Sequence, residues 1–243
     1  RTAFDLSLLG AGQTIMMMTI KICLMSMGLM VISFGKPTDW STLPIAIMLV
    51  GTAMGTIPAA LSFHYLDRKR GHLLGIGLGL IGCALAAFAI MHKNFWLLSA
   101  GALLLGLFSG FGRYYSYTAA DIVPHAQKPK AISYIIFAGV FSALIAPPLA
   151  ERTEHLIVHH AFMATLIALL IINAILGLIF MCGKFKALGH DSLATSAGLR
   201  TILTRRKFVV GTITTAVCYI VMSQVMVGTP LAMVKLYHIS FAH

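Results

Sequence analysis

The chain has 243 residues, 58% hydrophobic and only 10% charged, with a mean hydropathy of +0.89. A soluble domain carries about a quarter charged residues, so this composition points to a membrane and away from the cytosol. The formal net charge of +11 does not describe a nucleic-acid surface. Its cations sit in links between apolar runs, with few interleaved aromatics, an arrangement suited to cytoplasmic loops facing anionic lipid.

In chain order, apolar runs cover about Leu6–Phe34, Leu43–Phe63, Leu73–Met91, Phe95–Ala119, Ala131–Leu149, Ile157–Met181 and Phe208–Val227. Each is long enough to cross a bilayer as a helix, whereas barrel strands would be about ten residues long and alternate. The fold class is therefore all-α, a polytopic membrane helix bundle. Between the second and third runs lies a short charged link, His64-Tyr65-Leu66-Asp67-Arg68-Lys69-Arg70-Gly71-His72, which makes those two helices an antiparallel hairpin.

That link orients the chain. Placing it in the cytoplasm also places there the N-terminus and the links 120–130 and 183–207. Those regions hold Arg1, Arg68, Lys69, Arg70, Lys128, Lys130, Lys184, Lys186, Arg200, Arg205, Arg206 and Lys207, against Lys36, Lys93 and Arg152 on the other side. Twelve cations against three follow the positive-inside bias, which puts the N-terminus in the cytoplasm.

The link 183–207 is long and polar, with Asp191-Ser192-Leu193-Ala194-Thr195-Ser196 at its middle. It divides residues 1–182, a six-helix unit, from residues 208–243, a seventh helix that opens a second unit. The chain starts at Arg1 and stops at Phe241-Ala242-His243, so it reads as a fragment whose C-terminal half is missing.

Small residues recur at four-residue spacing, as in Gly51/Gly55/Ala59, Gly75/Gly79 and Gly139/Ala143, a pattern that lets helix backbones approach closely in lipid. Gly77-Leu78-Gly79-Leu80-Ile81-Gly82 matches G-x-G-x-x-G but lies inside a spanning run and follows no strand, so it reads as a packing face. Cys23, Cys83, Cys182 and Cys218 read as small buried hydrophobes with no disulfide framework and no zinc site. Pro147-Pro148 serves either to bend the fifth helix or to end it, and ending is the simpler reading. His155, His159 and His160 have metal-compatible spacing but no third helix-borne ligand, so a solvated loop is expected.

Two cations lie inside apolar runs. Lys21 sits midway along the first, where a charge costs about 2.5–3.5 kcal/mol unless it faces water or a partner. Thr14, Lys21 and Gly28 share one helical stripe by their seven-residue spacing. Arg113 lies in the fourth run, with Gly106, Ser109, Gly110, Ser116 and Tyr117 on its face at helical spacings. Snorkelling or pairing with a helix-end carbonyl competes with a functional reading of each cation. No carboxylate lies at comparable depth, so the charge is balanced either by an anionic substrate or by carboxylates elsewhere in the protein.

No H-E-x-x-H, G-x-S-x-G or Walker-type loop occurs, which argues against a hydrolase and against ATP-driven transport. No cofactor or metal is called for, and nucleic acid is not an expected partner. A membrane scaffold, an integral-membrane enzyme and a fragment inactive alone remain alternatives to a transporter.

This layout resembles the major facilitator superfamily of secondary transporters. In that family the link after the second helix carries G-x-x-x-D-R-x-G-R-R. Here Asp67-Arg68 matches, Phe63 stands at the leading glycine, Arg70 at the second glycine, and Gly71-His72 at the paired basics. Arg113 matches the family's fourth-helix arginine, and Ala146-Pro147 keeps the proline of the fifth-helix Gly-Pro step. The resemblance implies a proton- or gradient-driven transporter of a small solute that works by alternating access, its two six-helix halves rocking around a midplane site. Lys21 and Arg113, with Thr14, Ser109, Ser116 and Tyr117 on their faces, are the expected substrate-cavity or coupling residues, the resemblance tying Arg113 to substrate or proton handling; Asp67, Arg68, Arg70 and Asp121 are expected to hold one conformational state.

Overall fold

A computed structural model describes residues 2–35, 37, 40–154, 162–183, 206, 209–218, 220–222 and 225. Two compact units divide the chain, Arg1–Leu188 and Gly189–His243. In the first, the helices are α1 (Thr2–Ser33), α2 (Leu43–Tyr65), α3 (Arg68–Met91), α4 (Phe95–Gly110), α5 (Arg113–Asp121), α6 (Lys128–Glu154) and α7 (Met163–Cys182). Counting α4 and α5 as one span, six segments are long and apolar enough to cross a membrane. In the second unit, the expected seventh span corresponds to a shorter apolar helix, Val209–Met222.

Local chemistry explains several boundaries. Proline occupies the first turn of α2, where its missing N–H leaves no hydrogen bond unmade. Asn94 caps α4 by accepting hydrogen bonds from the Trp96 and Leu97 backbone N–H groups. The charged link is shorter than the sequence suggests: only Leu66 and Asp67 separate α2 from α3, and Arg68, Lys69 and Arg70 form the first turn of α3. A helix can start there because polar residues at its end project beyond the apolar layer.

Two further expectations are corrected. Pro147 and Pro148 do not end the fifth span, since α6 continues through both to Glu154; neighbouring groups make such prolines tolerable within a membrane bundle. The fourth span is not one helix. Three-residue turns, Phe111 N–H to Phe108 C=O and Gly112 N–H to Ser109 C=O, separate α4 from α5. Gly112 lies against the Met16 side chain, where a Cβ would overlap Met16 Sδ and Cε.

Packing follows the glycines. α2 and α4 run parallel, Met48, Gly51 and Gly55 meeting Gly106, Leu103 and then Leu107 and Gly110. A Cβ on either Gly51 or Gly55 would sit 2.6 Å from a carbonyl oxygen of α4, so these backbones touch. Along α3, Gly75 receives Phe111, Gly79 receives Phe108 and Gly82 receives Leu105. Of the G-x-G-x-x-G residues, then, Gly79 and Gly82 pack while Gly77 faces open space. Gly139 is buried, but Ala143 is exposed and carries no packing face.

Fully buried Tyr115 joins Leu9, Met16, Ile76, Phe108, Ile135, Leu176 and Phe180 in the main core. The outer faces of α2 and α6 are apolar and exposed, with Val50, Met54, Ile57 and Leu61 on one and Ile136, Phe137, Val140 and Leu144 on the other. A bundle in lipid requires this, because nothing polar can be left to face hydrocarbon unpaired.

Candidate functional site

Two polar constellations interrupt the apolar interior of the first unit. One lies on the seam between α1 and α6, which run parallel: Gly10 faces Tyr134 and Ala138, and Lys21 reaches Ser142 further along. Helical side chains lean toward their own N-terminus, so Lys21 extends back along this seam. Its Nζ donates to Ser142 Oγ at 2.8 Å, and Ser142 Oγ donates to Gly139 C=O at 2.6 Å. Two turns nearer the chain start, Thr14 Oγ1 lies 2.6 Å from Ala138 C=O and 3.0 Å from Gly10 C=O. Lys21 is half-buried and Met17 exposed, so the seam opens outward at their level. Gly28, the third member of the expected stripe, packs instead near Ser41 and Ile45 of the α2 region.

The other constellation lies at the basic end of the bundle. Arg68, the first residue of α3, pairs with Asp121, the last of α5, at 2.5 Å. Lys69 Nζ donates to the Met181 carbonyl in the last turn of α7. A cation there meets the negative end of the helix dipole. One turn inward, buried His72 Nε2 lies 2.9 Å from Thr118 Oγ1 and packs edge-on to Phe63 and Phe180. Asp67 and Arg70 are exposed and, among the described residues, form no ion pair. Of the four residues expected in a state-holding link, the structure brings together Arg68 and Asp121.

Arg113 stands exposed at the start of α5. A tight turn precedes it, with Phe111 and Gly112 still in right-handed helical conformation. Gly106 and Gly110 pack on the α2 backbone, while Ser109 and Ser116 are half-buried and Tyr117 is exposed. Tyr114 stacks on Phe63 with centroids 4.3 Å apart and touches Tyr117 edge-on at 5.6 Å. Arg113 lies on α5, whereas the Lys21–Ser142 pair lies on the seam between α1 and α6.

Sequence reasoning missed Gln13, Asn173 and Thr118, all buried. Asn173 donates to Thr19 Oγ1 at 2.9 Å, tying α7 to α1, and to Leu169 C=O at 2.8 Å. A search for charges passes over uncharged amides, yet a lone Asn or Gln within an apolar run was the available signal. Cys182 and Cys218 are exposed rather than buried, Cys182 as the last residue of α7 and Cys218 on a helix whose described residues are all exposed, while Cys23 and Cys83 are buried as expected. The described residues contain no cluster of three His, Cys, Asp or Glu able to hold a metal. His155, His159 and His160 lie outside the described residues.

Six apolar spans with a small number of interior polar residues define an integral-membrane helix bundle. No family model matches the chain. It is 28% identical over 200 residues to the riboflavin transporter RfnT of Brucella anthropi, a match covering 79% of this chain and 49% of that protein. The chain thus spans about half the length of the curated relative it matches.

Proposed function

We propose that this chain forms the first half, and the start of the second, of a secondary active transporter of the major facilitator type that carries riboflavin or a closely related small solute. The match to a riboflavin transporter over 79% of the chain carries this reading. The bundle is compatible with it: polar side chains lie on seams within apolar spans, where intramembrane polar groups mark substrate and ion paths. Residues 183–207 would join the halves on the cytoplasmic side, with the N-terminus on that side and the protein in the plasma membrane. Alternating access then exposes the site to each side in turn, driven by a proton or other gradient.

The test is uptake. A riboflavin-requiring bacterium carrying the full-length protein should grow at riboflavin concentrations that do not sustain the empty-vector strain, and should accumulate labelled riboflavin. An uncoupler should abolish accumulation above the external level. Growth and uptake equal to the vector control would refute the substrate, and uncoupler-insensitive accumulation would refute gradient coupling.

A further inference from the structure

The exposed residues of the spans differ in kind from helix to helix. α7 exposes Ile167, Ile171, Ile175 and Leu178, and α3 beyond its first turn exposes Ile81 and Phe88, as contact with lipid requires. α5 instead exposes Arg113 and Tyr117. These two are one turn apart on one face, with Cβ atoms about 5–6 Å from each other. Gly112 meets Met16 of α1, Tyr114 stacks on Phe63 of α2, and successive helical residues are turned by about 100°. Arg113, between them in sequence and exposed, therefore points out between α1 and α2. It lies about 12 Å inside the Arg68–Asp121 end of the bundle. Among the described residues its guanidinium, a fork of N–H donors, has no hydrogen bond, ion pair or ring contact. A charge left bare against hydrocarbon at that depth is costly, so this opening is a polar one.

Tyr117 is the outer end of an aromatic chain. Phe63 meets buried His72 edge-on, Tyr114 lies flat on Phe63 with centroids 4.3 Å apart, and Tyr117 meets Tyr114 at 75°. A perpendicular contact covers at most one face of the Tyr117 ring, and the residue is 56% exposed. Its other face is open, and its orientation is held from behind.

We infer that Tyr117 and Arg113 form a stacking site for a planar heteroaromatic ring that carries carbonyl oxygens on its edge. The ring lies on the open face of Tyr117, and its edge oxygens accept from the Arg113 fork. The assignment rests on the transporter reading and adds to it which part of the solute is held. The flavin ring of riboflavin is such a group, and its ribityl chain is not.

The experiment uses the purified full-length protein with riboflavin, ribitol and lumiflavin, the same ring with a methyl group in place of the ribityl chain. Equilibrium dialysis gives the affinity. Fluorescence of the bound ring reports stacking, because a phenol quenches it by electron donation and a phenyl ring does not. Lumiflavin should displace bound riboflavin, and ribitol should not. Tyr117→Leu should weaken riboflavin and lumiflavin alike by about tenfold. Tyr117→Phe should recover most of that affinity while the bound ring becomes brighter, a split that a merely structural role for the tyrosine does not produce. Arg113→Lys keeps the charge, loses the fork and should weaken lumiflavin by about fivefold. Both positions are exposed, so the variants should remain monodisperse. Wild-type affinity in Tyr117→Leu or in Arg113→Lys, or displacement by ribitol and not by lumiflavin, overturns the assignment and leaves the transporter reading standing. Tyr117-dependent binding of lumiflavin without uptake of riboflavin by cells supports the ring site and overturns riboflavin as the cargo. No binding of either flavin by the wild type overturns both.

Discussion

The Arg68 guanidinium and the Asp121 carboxylate meet at 2.5 Å, joining the first residue of α3 to the last of α5. Each side chain is about 30% exposed (30% and 28%), so the pair is neither a loose surface contact nor a fully desolvated one. Such a pair contributes about 1 kcal/mol, enough to bias two conformations of nearly equal energy without fixing either. Asp121→Asn should therefore shift the balance of inward- and outward-open forms of the full-length protein, and the double exchange Arg68→Asp with Asp121→Arg should restore part of it. A cysteine introduced at the outer mouth, labelled with a membrane-impermeant maleimide after Cys182 and Cys218 are replaced by serine, reads the change. Unaltered labelling rates in Asp121→Asn would show that the pair does not hold a state.

Asp67 provides a contrast on the same link. It is exposed and unpaired among the described residues, so Asp67→Asn should change labelling less than Asp121→Asn in the same assay. The opposite order would place the controlling charge on the α2–α3 link itself.

Close backbone contact predicts a sharp difference between two glycines. Gly55→Leu forces a side chain against Leu107 backbone atoms 2.6–3.1 Å from the Cβ position and should separate α2 from α4, costing several kcal/mol. Gly77→Leu enters open space and gains about 1 kcal/mol of helix propensity. Fluorescence-detected size exclusion after heating should show the first variant lost or aggregated and the second unchanged or more stable.

The charge at Lys21 is destabilising by its depth and held by one hydroxyl. Lys21→Met should leave thermal stability equal or higher while lowering riboflavin uptake by at least about tenfold, which corresponds to loss of one charge-assisted hydrogen bond. Arg113→Gln, at an exposed position, should preserve stability as well and tests whether that face belongs to the path. Uptake unaffected by both substitutions would remove these cations from the transport site.

Inside the bundle, Thr118→Val deletes the hydrogen bond to His72 while keeping the shape of the side chain. The expected loss is about 1 kcal/mol, read as a downward shift of a few degrees in the melting temperature of the purified protein. No shift would mean that the aromatic packing around His72 carries the contact alone.

The apolar runs were legible because continuous hydropathy over twenty residues has few structural outcomes, and span limits fell within several residues of α1, α2 and α6. Less legible was what depends on neighbours. At the turn Phe111–Gly112, Gly112 lies where a Cβ would overlap Met16 of α1, a contact that no local pattern announces. Of the face drawn around Arg113, Gly106 and Gly110 pack on α2, a contact that likewise depends on the neighbour. Lys21 and Arg113 stood out as charges within apolar runs, whereas Gln13 and Asn173 carried only the fainter signal of uncharged amides in such runs.

The order in which the spans pair has one more meaning. Number them one to six, with α4 and α5 together as the fourth. The first then packs mainly on the fifth, the second on the fourth, and the third on both the fourth and the sixth. Exchanging each span with the one three places along turns one-with-five into four-with-two and returns three-with-six unchanged, while three-with-four has no equally extensive counterpart in one-with-six. Three is an odd number of crossings, so the two triplets traverse the bilayer in opposite senses. The fourth span, packed on both the second and the third, is one whose displacement two neighbours would feel at once.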